Sequence, residues 1–119
     1  MLENKPLTQQ LIEQTKNSPE AIDFTHVIET IEAEYKYTPA AFTNGDLTND
    51  AGTNEGSCKI FSFAEIHSLD QQETLALFGK YYREDVLGNP EGNDHGNIRN
   101  FMASGWAGIN FTTQPLTPN

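Results

Sequence analysis

The residues in short supply set the first limits on this protein. A single cysteine permits no internal disulfide and fits a reducing compartment. Seven basic residues against 17 acidic ones give a net charge of −10. That balance disfavours nucleic acid and anionic membranes as partners, because both are bound through clustered lysine and arginine. No apolar run approaches the roughly 20 residues needed to cross a bilayer, and no secretory signal is recognisable, so we expect a soluble protein.

The amino acids that are present predict a folded globule. Hydrophobic residues make up 36% of the 119 positions, and seven phenylalanines, four tyrosines and one tryptophan are available for a core. This length suits one domain spanning residues 1–119. We expect a mainly α fold of about five helices on one core, with long polar loops and one short C-terminal strand. Residues 1–5 and 113–119 are expected to be loose ends.

Apolar spacing and capping residues place the five helices. The first follows Pro6 and ends near Lys16; the second begins at Ser18-Pro19 and runs through Tyr35. The third begins at Cys58, the fourth runs from the Asp70–Glu73 capping box through Val86, and the fifth carries Ile98 and stops near Gly105. Residues 43–57 hold three glycines among short polar residues, which predicts turns rather than strands.

The polar segment 43–57 resembles two known ion-binding loops but satisfies neither. Counted from Asn44, an EF-hand needs glycine at the sixth position, where Asn49 stands. A P-loop needs four residues between its glycines followed directly by lysine, whereas "GTNEGSCK" has three and then Ser57-Cys58. A looser cation site using Asp46, Asp50 or Glu55 stays open, as does anion binding by the amides of residues 56–59 at a helix start. The metal, if any, is unknown.

Cys58 is the candidate nucleophile. In the first turn of a helix and beside Lys59, its pKa would be lowered by the helix dipole and the neighbouring charge. A base would have to be His95 or His67, oriented by Asp94 or an asparagine. The competing interpretation is that a lone cysteine before an apolar helix is a small buried residue.

The string "DHGNIR" gathers polar residues near the start of the fifth helix. Asp94, His95, Asn97 and Arg99 lie within six positions. Together with His67 they allow a His-His-carboxylate metal site, although no short metal-binding spacing supports one. A structural hydrogen-bond network joining the two polar loops explains the same residues more simply.

Four long strings resemble the HopJ type III effector family. They are "YTPAAFTNG", "NDAGTNEGSCKIFSFAEIH", "FGKYYREDVLGNPEGNDHGNIRNFM" and "GWAGINF". The resemblance covers nearly the whole chain and is strongest from Tyr37 to Phe111. It implies a bacterial protein that is delivered into plant cells, but it brings no catalytic or binding residue with it.

Two functional hypotheses follow. In the first, a protein of the bacterial cytoplasm, secreted by a type III system, binds a host protein or a small ligand through a polar surface built from residues 43–59 and 93–99. The binding residues proposed for this surface are Asn44, Asp46, Asp50, Ser57, Lys59 and Arg99. In the second, the chain is a small hydrolase or transferase that uses Cys58 with His95 and Asp94, or with His67. Neither hypothesis requires a cofactor.

Overall fold

Five α-helices and five short β-strands form the fold in a computed structural model that describes residues 6–118. The helices are α1 (Leu7–Asn17), α2 (Phe24–Glu34), α3 (Glu55–Ile66), α4 (Gln71–Ala76) and α5 (Gly96–Ser104). The strands are β1 (Tyr35–Tyr37), β2 (Phe42–Asn44), β3 (Leu47–Asn49), β4 (Ile109–Phe111) and β5 (Leu116–Pro118). Two 3-10 turns, Pro19–Ala21 and Gly105–Gly108, and a π-helix, Tyr81–Val86, complete the elements.

The prediction of a mainly α fold with one C-terminal strand is wrong, because the strands build two antiparallel sheets. β1 pairs with β5, and β2 lies between β3 and β4. Each strand is three residues long, which is too short for apolar and polar positions to alternate visibly.

The segment expected to hold only turns contains a β-hairpin. β2 and β3 are joined by the two residues Gly45 and Asp46, with Asn44 opposite Leu47. Gly45 has φ +62°, as the first position of a type II′ turn requires. The same hairpin bonds to β4 on its other side, which brings the C-terminal part of the chain against residues 42–44.

Four helix boundaries also differ from the predictions. Ser18 does not cap a helix; a 3-10 turn intervenes, and α2 begins after Asp23, whose side chain accepts from the His26 amide. Tyr35 belongs to β1 and not to α2. α3 starts at Glu55, three residues earlier than expected, and α4 ends at Ala76, so residues 81–86 form a separate π-helix. The capping box of Asp70 and Glu73 and the end of α5 before Gly105 are confirmed.

The core is built around α3. Phe61 is fully buried and its ring lies 4.9 to 6.4 Å, centroid to centroid, from four other aromatic rings. Those rings come from β2, the turn after α4, α5 and the second 3-10 turn: Phe42, Phe78, Phe101 and Trp106. Burying one such side chain stabilises a fold by about 1.5–3 kcal/mol. Because its four neighbouring rings come from different elements, Phe61 links these elements in the core.

The C-terminal residues are attached to this core. Leu116 is buried, β5 pairs with β1, and the Thr38 amide donates to the Pro115 carbonyl. Residues 116–118 are therefore part of a sheet and not a loose end. The other expected loose end, residues 1–5, lies outside the described residues.

Candidate functional site

A cleft opens where the first turns of α3 and α5 approach each other. Its volume is about 240 Å³. The first turn of α3 and its cap contribute Asn54, Gly56 and Ser57, and the start of α5 contributes residues 95–98. Three aromatic rings form the remaining wall: Phe24, Phe78 and Tyr81. The two polar segments singled out in the sequence therefore meet at one site, and we call this site the cleft.

Three buried asparagines hold the two segments together. The Asn44 amide donates to the Asn97 backbone carbonyl at 2.8 Å and to its side-chain oxygen at 3.0 Å. Asn49 and Asn97 exchange two side-chain hydrogen bonds of 3.1 and 3.0 Å. All three residues are almost fully buried. The expected structural network between the two polar loops is present, and it fixes the β2–β3 hairpin against the start of α5.

The two residues that precede the helices at the cleft have left-handed backbones. Asn54 has φ +49° and His95 has φ +53°; in residues 6–118, Ser68 is the one other non-glycine residue with positive φ. Neither cap side chain accepts a hydrogen bond from its helix, so the first-turn amides of α3 and α5 lack side-chain caps. Left-handed conformations of non-glycine residues cost energy and concentrate at functional sites. The free first-turn amides of an uncapped helix favour binding of hydrogen-bond acceptors.

His95 is held by contacts that the sequence analysis missed. Its Nε2 lies 3.1 Å from the Asp85 carboxylate, and its ring is tilted against Tyr81 with centroids 5.3 Å apart. Both partners lie on the π-helix Tyr81–Val86, and Tyr81 also packs edge-on against Phe24. The wider turn of a π-helix shifts side chains off the α-helical period, so residue spacing gave no signal for this pairing.

Asp94, the residue expected to orient the histidine, is engaged elsewhere. Arg99 donates to the Asp94 carboxylate and to its backbone carbonyl, both at 2.6 Å, and the bond to the carboxylate lowers the pKa of Asp94. The shortest approach of Asp94 to His95 is 3.9 Å. Asp85, and not Asp94, is therefore the hydrogen-bonded carboxylate of His95.

Cys58 lies outside the cleft, although Ser57 lines it. The thiol is 1% exposed, contacts the Ala40 carbonyl at 3.7 Å, and has a pKa raised by burial. His67 caps the opposite end of α3 and bonds to the Tyr35 hydroxyl at 2.5 Å. In residues 6–118 neither His67 nor His95 hydrogen-bonds to the thiol, so the structure gives no support to a Cys58-dependent reaction.

The other predicted binding residues are dispersed. Asp46 accepts from the Asn100 side chain in the hairpin turn, and Asp50 is exposed before α3. Lys59 pairs with Glu32 of α2 at 2.9 Å and lies 4.7 Å from the Tyr37 ring centroid, away from the cleft lining. Across residues 6–118 no three His, Cys, Asp or Glu side chains are grouped so that they could hold a metal ion.

Comparisons with known proteins place the chain in a family. The family described as HopJ type III effector protein matches residues 8–116. The chain therefore belongs to the HopJ type III effector family. A crystal structure described as that of an unknown function protein, VPA0580, is 52% identical, with a TM-score of 0.92 over 99% of this chain and 95% of that one. A search of curated proteins gives no significant match.

None of the helices within residues 6–118 combines the length and apolar character that a bilayer-crossing segment requires.

Proposed function

We propose that this chain is a type III effector-like protein that acts by binding, with the cleft as its contact site. Membership of the HopJ family supports delivery from the bacterial cytoplasm by a type III system. The convergence of residues 54–57 and 95–98 on one cleft carries the binding part of the proposal. Three buried asparagines bond the β2–β3 hairpin to the start of α5, and the Asn54 side chain donates to one of them, Asn49, at 2.7 Å.

The size of the cleft limits what it can hold. A volume of about 240 Å³ is below the roughly 300–1,000 Å³ of pockets for drug-sized ligands, so the occupant is one small group. That group is a side chain of a host protein or a small molecule. The uncapped helix starts and the Ser57 hydroxyl favour hydrogen-bond acceptors, such as an amide carbonyl or a carboxylate.

The cysteine-dependent hydrolase or transferase is not carried forward. Its nucleophile would need to be an exposed thiolate near neutral pH, whereas burial raises the pKa of Cys58 and covers the sulfur. Binding needs no such group.

The test is a titration of the ¹⁵N-labelled chain with acetamide and, separately, with acetate, followed by the amide resonances of the cleft. We expect saturable shifts of Gly56, Ser57 and Gly96. Ser57→Gln places a longer side chain in the cleft and should weaken binding about tenfold, which is about 1.4 kcal/mol.

Thr48→Gln is the matched control, because Thr48 is exposed on β3 and does not line the cleft. It should bind both compounds as the parent does. Binding that is absent for both compounds, or equally strong in Ser57→Gln, would contradict the proposal.

A further inference from the structure

A second and larger depression lies on another part of the surface. It runs between the end of α1, the 3-10 turn Pro19–Ala21, the start of α4 and the π-helix, and its volume is about 470 Å³. We call it the groove. This volume falls within the roughly 300–1,000 Å³ of small-molecule sites, and none of the residues that line the cleft also lines the groove.

Part of the charge in the groove serves the fold. Lys16 pairs with Glu73 at 2.7 Å, which joins α1 to α4. Glu73 also accepts from the Asp70 amide, and Asp70 accepts from the Glu73 amide, completing the capping box. These three side chains are committed to internal contacts and leave little capacity for a ligand.

Two charged side chains of the groove are not committed in this way. Arg83 is half-buried, yet within residues 6–118 its guanidinium makes a single hydrogen bond, a long one of 3.4 Å to the Pro19 carbonyl. A guanidinium carries five N–H donors, so most of those on Arg83 have no partner among residues 6–118. Glu20 is exposed, and in the described part of the chain its carboxylate has neither an ion pair nor a hydrogen bond.

We propose that the groove binds a zwitterion, either a free amino acid or a short peptide with both termini free. The ligand carboxylate is held by the Arg83 fork, whose parallel N–H groups match a carboxylate in a bidentate pair. The ligand ammonium is held by Glu20. Ala76 and the Tyr82 ring, which also line the groove, form the surface against which a side chain packs.

The charge of the whole chain favours a zwitterion over a simple anion. With a net charge of −10, the surrounding field repels an anion approaching Arg83. A zwitterion is neutral overall, avoids that repulsion, and satisfies the cation and the anion at once. The charged side chains that line the groove carry a net charge of −1: Lys16, Arg83, Glu20, Asp70 and Glu73. Lys16, Asp70 and Glu73 are already paired within the protein. One positive and one negative side chain, Arg83 and Glu20, are left for a ligand.

The experiment titrates the ¹⁵N-labelled full chain with each of the twenty free amino acids and with the corresponding Ala-Xaa dipeptides. The two series distinguish an amino acid from a peptide as the source of the zwitterion. The best binder is then repeated in its N-acetylated and its C-amidated form. We expect saturable shifts at Lys16 and Arg83 that follow a binding curve of their own, different from the curve of any shifts at Gly56 and Gly96 in the cleft. At the groove, each capped form should bind at least about tenfold more weakly.

Substitutions test the two assigned contacts separately. Arg83→Gln should weaken the zwitterion about tenfold. Glu20→Gln, at an exposed position that does not endanger folding, should remove the difference between the zwitterion and its N-acetylated form. Arg99→Gln is the matched control, because that arginine is held by Asp94 and lies outside the groove. Unshifted spectra with every compound, equal binding of capped forms, or full binding by Arg83→Gln would overturn the proposal.

Discussion

Two neighbouring residues of α3, Ser57 and Cys58, lie in opposite environments. Ser57 lines the cleft beside the start of α5, whereas Cys58 is 1% exposed and contacts Ala40 in the core. Successive residues of an α-helix are rotated by about 100° around its axis. A shift of one position along α3 therefore moves a side chain from the cleft to the core. The more reactive residue, Cys58, therefore lies away from the cleft, and its less reactive neighbour, Ser57, is the one that lines it.

The two histidines repeat this difference. His95 lines the cleft and is held by Asp85 and Tyr81. His67 ends α3 and packs against Phe63 and Tyr35. The side of the molecule that holds the cleft depends on polar contacts between distant segments, and the side that holds Cys58 depends on apolar packing. The predictions below test this contrast.

The largest effect is expected for Asn97→Ala, which removes the centre of the asparagine network on the cleft side. The Asn49 side-chain amide would lose its acceptor while staying buried, and an unsatisfied buried donor costs about 1–3 kcal/mol. We therefore expect a loss of about 2 kcal/mol in the free energy of unfolding, or about 8 °C in Tm, measured by thermal and urea unfolding.

Asn110→Ala is the control, because Asn110 lies exposed on β4. Its stability should stay within about 0.5 kcal/mol of the parent. Equal stability of the two variants would show that the network does not hold the cleft segments together.

The helices were predictable where the signal is local. The capping box of Asp70 and Glu73 is a pattern of four residues, and α5 has both an apolar stripe and a terminating glycine, so both are readable from the chain. The hairpin had a local signal as well, since Gly45 and Asp46 separate "FTN" from "LTN" by the two residues of a type II′ turn. Its strands are so short that the surrounding polar residues concealed them.

The remaining features depend on contacts between distant segments. β2 pairs with β4, more than 60 residues away, and β1 pairs with β5 at the other end of the chain. No spacing rule joins such segments. The network between the polar loops was predicted because asparagines and aspartates concentrate in both, but the role of Asp85 depends on a π-helix that apolar periodicity does not reveal. Burial of Cys58 could be expected because a lone cysteine is usually a small buried residue. The residues next to it in the sequence gave no such indication.

An intermediate effect is expected on the core side of α3. Cys58→Ala should cost about 1 kcal/mol through the small cavity it leaves, whereas Ser57→Ala should stay within about 0.5 kcal/mol. Cleft binding of acetamide should be unchanged by Cys58→Ala.

In the parent, alkylation of Cys58 by iodoacetamide at pH 8 should be at least about 100-fold slower than in the urea-unfolded chain, because the native thiol reacts only after the structure around it opens. Comparable native and unfolded rates would show that the thiol is accessible after all.

The smallest effect is a pH dependence at His67. Burial lowers the pKa of His67 in the folded chain below its ordinary value of 6.5, so the folded state favours the neutral ring, which shares a hydrogen bond with the Tyr35 hydroxyl. The unfolded chain then binds more protons than the folded chain below pH 6.5, and stability falls as the pH decreases through that value towards the lowered pKa. The pKa values of the carboxyl groups of Glu34 and Glu73 are lowered from 4.5, so their stabilising contributions are lost only at more acidic pH.

Urea unfolding at pH 7.5, 6.5 and 5.5 should show the parent losing stability relative to His67→Gln, whose amide can still accept from Tyr35. A stability difference between the parent and His67→Gln that stays constant with pH would exclude His67 as the titrating group.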